Sequence, residues 1–254
     1  MNRFESQRAI IVGGGNMGGE IARVLAAEGA RVFVTYHRNQ EAAQQLADEL
    51  GTGLAGSAQL DISDLAAIES VVARAAEALG GVDVLVVTAG YVHNMVPILD
   101  VDFASVTKTI DVELVGVIKA ATESLPHMRA GGYGRMVFVG SDSGKVGSTG
   151  EAASSAARAG VIGFAKALAR ETAREQDICV NVVCPGPTEG PLLEGQMADP
   201  GITGKLVNAM MRAIPKGRAA STTEIAAATV FLASPDAAFI TGQALSVSGG
   251  LTMS

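Results

Sequence analysis

The chain has 254 residues, of which 48% are hydrophobic and 18% are charged. A chain of this size can bury a large core, and it fits one α/β domain better than two small ones. The formal net charge is -7, and basic residues do not cluster, which argues against nucleic acid or an anionic membrane as a partner.

The cysteines and the first residues of the chain indicate which kinds of protein this sequence resembles least. Cys179 and Cys184 lie in one apolar run, so we expect small buried hydrophobic residues and neither a metal site nor a disulfide. The first residues lack a secretory apolar region, and no apolar run reaches the roughly 18 residues that a membrane span needs. The expected compartment is therefore the cytoplasm.

Apolar runs alternate with segments of helical period along most of the chain. This alternation predicts a single Rossmann-type α/β domain over residues 1–254, a doubly wound parallel sheet with helices on both faces. The predicted strands are Ala9–Val12, Arg31–Thr35, Leu54–Leu60, Val82–Thr88, Arg135–Val139, Cys179–Val183 and Ala244–Val247. The predicted helices are Gly18–Glu28, Gln40–Leu50, Ala66–Leu79, Phe103–Met128, Ser154–Glu175 and Thr223–Ala233. The segment 187–215, rich in Gly, Pro and Met, is the least regular and is predicted to be mobile.

A glycine-rich turn, GGGNMG at residues 13–18, joins the first predicted strand to the first helix. It matches G-x-G-x-x-G in the strand–turn–helix context of dinucleotide-binding proteins. Glycine allows the backbone to approach a pyrophosphate, whose charge a helix N-terminus favours. The candidate cofactor contacts are Gly13, Gly15, Asn16, Met17 and Gly18. The alternative is a turn that only closes the helix onto the strand.

The second predicted strand ends without the acid that usually accepts hydrogen bonds from the ribose of NAD. Tyr36 stands in that place, and His37 and Arg38 follow. Arg38 could pair with a 2′-phosphate and so favour NADP. A basic surface turn before a helix is the other interpretation.

The stretch Gly140 to Lys166 resembles the active-site segment of the short-chain dehydrogenase/reductase (SDR) family. In that family a strand ends in a catalytic Ser, and a Tyr-x-x-x-Lys motif opens the following long helix. Ser141 matches the Ser, but Ser154 occupies the Tyr position and Arg158 the Lys position. The resemblance implies the framework of an NAD(P)-dependent oxidoreductase with altered proton chemistry.

Other motifs extend this resemblance over the whole chain. Asp61 matches the adenine-site acid, Ala89-Gly90 the turn after the central strand, and Pro185-Gly186 the turn beside the nicotinamide. The resemblance implies NAD or NADP as cofactor. Asn16 stands where the family has a glycine, so a side chain narrows the approach to the phosphates and binding could be lost.

The catalytic positions depart from the family in three places. Family members use Tyr as the acid/base, with a Lys that lowers the tyrosine pKa. The Ser154 hydroxyl is a weaker acid on a shorter side chain, and a planar guanidinium is no conservative replacement for an ammonium. Glu113 occupies the place of the Asn that holds a water of the proton relay. We therefore expect Glu113 and Arg158 to form an ion pair, with Ser141 the one catalytic residue retained.

Five other residues are candidate substitutes for the missing acid: Tyr91, His93, His127, Lys145 and Glu151. Tyr91 and His93 follow a strand end, where α/β sheets place ligands. Each of the five is more typical of a surface or packing residue.

Three functional hypotheses follow from the resemblance. The first is a non-catalytic subunit that joins an active SDR sibling through the long helices 103–128 and 154–175, as in a heteromeric hydroxyacyl-CoA dehydrogenase of aromatic hydrocarbon catabolism. The second is an active oxidoreductase with rewired acid/base residues. The third is a protein that senses a nucleotide or metabolite.

Overall fold

The computed structural model describes residues 2–91, 95–174 and 176–254. One seven-stranded sheet forms the centre, in the order β3-β2-β1-β4-β5-β6-β7, and every neighbouring pair is parallel. The expected Rossmann-type sheet is confirmed. The strands are β1 (Arg8–Val12), β2 (Arg31–Tyr36), β3 (Leu54–Gln59), β4 (Val84–Val87), β5 (Tyr133–Val139), β6 (Asp177–Pro185) and β7 (Ala244–Val247).

Helices cover both faces of the sheet. They are α1 (Asn16–Ala27), α2 (Gln40–Leu50), α3 (Leu65–Leu79), α4 (Phe103–Ile110), α5 (Gly116–Gly131), α6 (Ser143–Val146), α7 (Ala152–Thr172), α8 (Pro191–Ala198), α9 (Ile202–Ala213) and α10 (Thr222–Ala233). The six predicted helices are present with small shifts of their ends. Glu175, the predicted end of α7, lies outside the described residues.

A π-helical turn, Asp111–Val115, divides the helix that the sequence predicts over Phe103–Met128. The N–H of Gly116 donates to the carbonyl of Asp111, five residues back. Such wide turns are rare and recur at functional sites. This one carries Glu113.

The segment 187–215 is more regular than the sequence predicts, because α8 and α9 both lie within it. Thr203, on α9, is 3% exposed, and its hydroxyl donates to the carbonyl of Met95 at 3.1 Å. This bond ties α9 to the chain that follows β4. The mobility of the segment stays a prediction.

Two apolar clusters fill the two sides of the sheet. On one side, α3, α5 and α7 contribute Ile68, Ala121 and Val161. On the other side, α1 and α10 contribute Ile21 and Ile225. Each fully buried isoleucine stabilises the fold by roughly 1.5–3 kcal/mol. Within the described ranges, no helix has both the length and the apolar character to cross a bilayer.

Candidate functional site

The carboxyl ends of the central strands meet at one edge of the sheet, where α/β folds bind ligands. A cleft of about 660 Å³ opens there. Its walls include Met17 from the turn after β1, Thr88 after β4, Ser141 after β5, Gly186 after β6 and Arg158 from α7. The topology therefore brings together the motifs that the sequence singles out.

The turn after β1 requires glycine at its first and last positions. Gly13 has a φ of +101°, and a Cβ on Gly18 would lie 1.9 Å from the carbonyl oxygen of Gly13. The Thr88 hydroxyl donates to that same oxygen at 2.5 Å. The turn is therefore closed against α1 on one side and against the end of β4 on the other.

Asn16 reaches across the cleft from the start of α1. Its Nδ2 would lie 3.3 Å from a Cβ on Gly190, in the loop after β6. The Gly13 N–H donates to the Thr35 hydroxyl at 3.1 Å, and the Gly14 N–H donates to the Thr35 carbonyl at 2.6 Å. The Asn16 side chain leaves less room beside Gly190 than a glycine at position 16 would.

Asp61, which matches the adenine-site acid of the family, makes hydrogen bonds and ion pairs with neighbouring side chains. One Asp61 oxygen accepts from the Ser63 N–H at 2.9 Å and from the Ser63 hydroxyl at 2.6 Å. The other oxygen lies 3.4 Å from Lys108 Nζ and 3.7 Å from His37 Nε2. These bonds from Ser63, and then Lys108, lower the pKa of Asp61 to about 2. Arg38 lies nearby as an exposed residue.

The three altered catalytic positions form one buried network. Arg158 Nη2 lies 3.0 Å from Glu113 Oε1, so the predicted ion pair is confirmed. The Ser154 hydroxyl donates to Glu113 Oε2 at 2.6 Å. Glu113, Ser154 and Arg158 are 2%, 5% and 9% exposed. A buried charge is costly unless it is paired and hydrogen-bonded. The burial of Glu113 is therefore stabilised by the charge of Arg158 and by the hydroxyl of Ser154.

Backbone groups complete this network. The Tyr91 N–H donates to Glu113 Oε1 at 3.1 Å, and Arg158 Nη1 donates to the carbonyl of Val139 at 3.1 Å. A Cβ on Gly90 would lie 2.8 Å from Arg158 Nη2, so the guanidinium presses against the Ala89-Gly90 turn. The Glu113 carboxylate thus accepts from three donors among the described residues.

The retained Ser141 lines the cleft, and its hydroxyl oxygen accepts hydrogen bonds from Ser143. The Ser143 N–H and the Ser143 hydroxyl donate to Ser141 Oγ, at 3.2 and 2.9 Å. Ser141 therefore remains in the wall of the cleft, and its hydroxyl oxygen accepts from Ser143.

The candidate substitutes lie in several places. Lys145 Nζ donates to a carbonyl and a hydroxyl of β7, each at 2.9 Å, and so holds that strand. Glu151 lines the cleft just before α7, whereas His127 is half-buried in α5. Tyr91 contributes its N–H to Glu113. His93 lies outside the described residues.

Asp142 is a polar residue of the site that the sequence reasoning missed. It lines the cleft and is 4% exposed, yet neither carboxylate oxygen has a hydrogen-bond donor among the described residues. Burial, and then the charge of Asp142, raise the pKa of the neighbouring Cys184 thiol to about 11. Asp142 directly follows Ser141, and nothing in the sequence indicates that its side chain is buried.

The residues matched to a dinucleotide site are partly engaged in contacts with one another. The glycine turn and the start of α1 can hold a phosphate. At the adenosine end Tyr36 replaces the acid and Asp61 is already bonded. At the nicotinamide end Arg158 is bound to Glu113 and presses on Gly90. Pro185 and Gly186 remain in the wall. Within the described residues, no group of three His, Cys, Asp or Glu could hold a metal ion.

Comparisons with known proteins agree with this geometry. Residues 14–252 match the family model described as enoyl-(acyl carrier protein) reductase. The chain is 36% identical over 253 residues to the 3-oxoacyl-(acyl-carrier-protein) reductase FabG of Escherichia coli (strain K12), covering 98% of this chain and 99% of that protein. It is 34% identical over 251 residues to the 2-dehydro-3-deoxy-L-rhamnonate dehydrogenase (NAD(+)) of Sphingomonas sp. (strain SKA58), covering 98% and 97%.

A third relative and a solved structure extend the agreement. The cis-4-hydroxycyclohexanecarboxylate dehydrogenase of Sinomonas cyclohexanicum is 35% identical over 253 residues, covering 98% of each chain. The crystal structure of gox2181 superposes with a TM-score of 0.89 at 29% identity, covering 99% of this chain and 98% of that one. Members of this family typically bind NAD(P). The chain belongs to the short-chain dehydrogenase/reductase family of oxidoreductases.

Proposed function

We propose that this chain is a non-catalytic subunit of a hetero-oligomeric NAD(P)-dependent alcohol dehydrogenase, in which an SDR sibling carries the reaction. The observation that supports this most directly is the buried network of Glu113, Ser154 and Arg158. Alcohol oxidation releases a proton with each hydride, so an active centre needs a group that exchanges protons near neutral pH.

None of the three groups in the network suits that task. A guanidinium does not lose its proton in proteins, so an arginine cannot exchange protons as a general acid/base does. The Ser154 hydroxyl is a far weaker acid than a phenol and points to Glu113. The Glu113 carboxylate is held by Ser154, Arg158 and the Tyr91 N–H. Losing a positioned general acid alone costs about 10²–10⁴ in rate.

Nucleotide binding is weakened in this proposal. Asn16 enters the space beside Gly190, and Arg158 does not present the ammonium that family members use at the ribose. NAD and NADP both remain candidates, with Arg38 the group that would favour NADP. Calorimetric titration with each nucleotide tests this, and Asn16→Gly should tighten binding at least about tenfold if the side chain is the obstacle.

The central experiment is purification of the chain alone and together with its SDR sibling. We expect no turnover of secondary alcohols or ketones by the chain alone, and full activity only from the mixed oligomer. Turnover by the isolated chain at ordinary enzyme rates, on the order of 1–10³ s⁻¹, would overturn the proposal.

A second experiment restores the family residues at positions 113, 154 and 158 and tests whether catalytic activity appears. We expect Ser154→Tyr with Arg158→Lys to be insufficient, because Glu113 would remain as a buried carboxylate at the relay position. The triple variant Glu113→Asn, Ser154→Tyr, Arg158→Lys removes that charge as well. Activity in the triple variant, with none in the double variant, is the expected result.

Assembly through α4, α5 and α7 is part of the proposal. The half-buried or exposed positions of α7 include Ala156, Ala159, Gly160 and Gly163, and small residues let a second helix approach closely. One enzyme with this arrangement is 2-(hydroxy(phenyl)methyl)succinyl-CoA dehydrogenase, and we propose this chain as its non-catalytic subunit. No described residue specifies an acyl-CoA, so co-purification with the sibling and assay on that thioester decide the point.

Two other functions have support from particular observations. The relatives are named as reductases and dehydrogenases, which favours an active oxidoreductase with rewired acid/base residues. The open cleft beside a closed catalytic network favours a nucleotide or metabolite sensor. Turnover by the chain alone selects the first, and tight nucleotide binding without a sibling selects the second.

A further inference from the structure

We propose that the cleft binds a small apolar molecule that carries one ammonium or other strong hydrogen-bond donor, with Asp142 as its anchor. The inference stands on the walls of the cleft and holds whether or not the chain is catalytic. Asp142 is the one residue of the cleft wall whose carboxylate is 4% exposed and has no donor among the described residues.

The charges that line the cleft favour a cation over an anion. Three charged residues lie in its wall: Asp142, Glu151 and Arg158. The positive charge of Arg158 is already paired with Glu113 at 3.0 Å. The two remaining charges are negative, so an anionic ligand meets like charge and a cationic ligand meets opposite charge.

The rest of the cleft suits an apolar body. Its volume of about 660 Å³ is within the range of roughly 300–1,000 Å³ typical of small-molecule sites. Flexible thioether side chains adapt to ligands of different shape. The apolar wall includes Met17, Met95, Leu192, Leu193, Leu206 and Met210.

The bond to Asp142 replaces an unsatisfied carboxylate by a paired one. The two carboxylate oxygens are covered in the free chain, so the side chain must turn toward the cleft when a donor enters. A buried acceptor without a donor is costly, and a charge-assisted bond is stronger than a neutral one. The affinity for the ligand is therefore highest when its hydrogen-bond donor is an ammonium.

The test uses three probes with the same apolar body and different head groups: hexylamine, 1-hexanol and hexanoate. Each is titrated at neutral pH into the whole chain labelled with ¹³C at the methionine methyl groups, three of which line the cleft at Met17, Met95 and Met210. We expect hexylamine to shift these signals at a concentration at least about tenfold lower than hexanoate. Similar or stronger binding of hexanoate overturns the proposal.

Two variants locate the effect. Asp142→Asn should remove most of the preference for hexylamine, and Glu151→Gln, on the same wall, should keep most of it. A preference that survives unchanged in a folded Asp142→Asn variant overturns the role of Asp142. If that variant does not fold, the ranking of the three probes on the unmodified chain still decides the proposal. No turnover is measured, so this outcome is separate from that of the proposed function.

Discussion

The turn after β1 and the three catalytic positions lie at the same edge of the sheet but are held together by different means. The turn depends on backbone contact: a Cβ at Gly18 would lie 1.9 Å from the Gly13 carbonyl. The catalytic positions depend on side-chain charges, with Glu113 and Arg158 3.0 Å apart. Backbone packing tolerates only glycine, whereas a side-chain network tolerates any set of groups whose buried charges remain paired. A family framework can therefore persist around an altered centre.

The largest expected effect is at Arg158. Arg158→Met leaves the Glu113 carboxylate 2% exposed without its cation, which should lower the free energy of unfolding by about 3–5 kcal/mol. Chemical denaturation followed by circular dichroism measures the change. Combining it with Glu113→Gln removes the orphaned charge and should recover most of the loss. A single variant as stable as the parent would show that the ion pair is not needed in the fold.

Gly18 tests the backbone side of the comparison. Gly18→Ala places a Cβ against the Gly13 carbonyl and should destabilise the chain by roughly 1–3 kcal/mol, as overpacking does. Gly15→Ala is the matched control, because a Cβ there meets nothing within 4 Å, and it should change stability by less than about 0.5 kcal/mol. Equal effects of the two substitutions would mean that the turn is not closely packed.

Thr88 holds the turn after β1 against the end of β4 and should show a smaller effect. Thr88→Val keeps the shape but removes the bond to the Gly13 carbonyl at 2.5 Å, which should cost about 0.5–1.5 kcal/mol. Thr88→Ser keeps the hydroxyl and serves as the control. If the valine variant is no less stable than the serine variant, the hydroxyl does not hold the turn.

The smallest effect is the pH dependence contributed by Asp61. Its pKa is lowered from 3.8 to about 2, first by Ser63 and then by Lys108. The stabilisation is therefore present above pH 4 and is lost as the pH falls through 2. Because the side chain is 39% exposed, Asp61→Asn should cost less than about 1 kcal/mol at pH 6. The gap from the parent chain should narrow on acidification, which titration of the unfolding midpoint measures; a gap that widens contradicts the assignment.

Much of the fold could be predicted because its signals are local. Continuous apolar runs such as Val84–Val87 indicate buried parallel strands, and Ser221 with Glu224 forms the capping box that begins α10. Helix α8 could not be predicted, because its residues give no clear helical period. Helix α9 is amphipathic, but it stands in a stretch rich in Gly, Pro and Met, and it is fixed by a distant contact at Met95.

The site could be predicted only in part for a related reason. The pairing of Glu113 with Arg158 could be predicted because the family resemblance places both residues at the catalytic centre, where a buried carboxylate needs an opposite charge. The π-helical turn at Asp111–Val115 and the donation from the Tyr91 N–H depend on backbone geometry that no residue pattern announces. Asp142 was missed because burial of a turn residue is a tertiary property.

The pairing of Glu113 with Arg158 constrains the order in which these buried positions can be substituted. An asparagine at position 113 would leave the Arg158 guanidinium without its anion, although Arg158 is only 9% exposed. A lysine at position 158 could still reach the carboxylate, so that change can come first. A tyrosine at position 154 would next take over a place that the serine now fills beside the carboxylate. Replacing Glu113 last therefore keeps the buried positive charge at position 158 paired through the earlier substitutions.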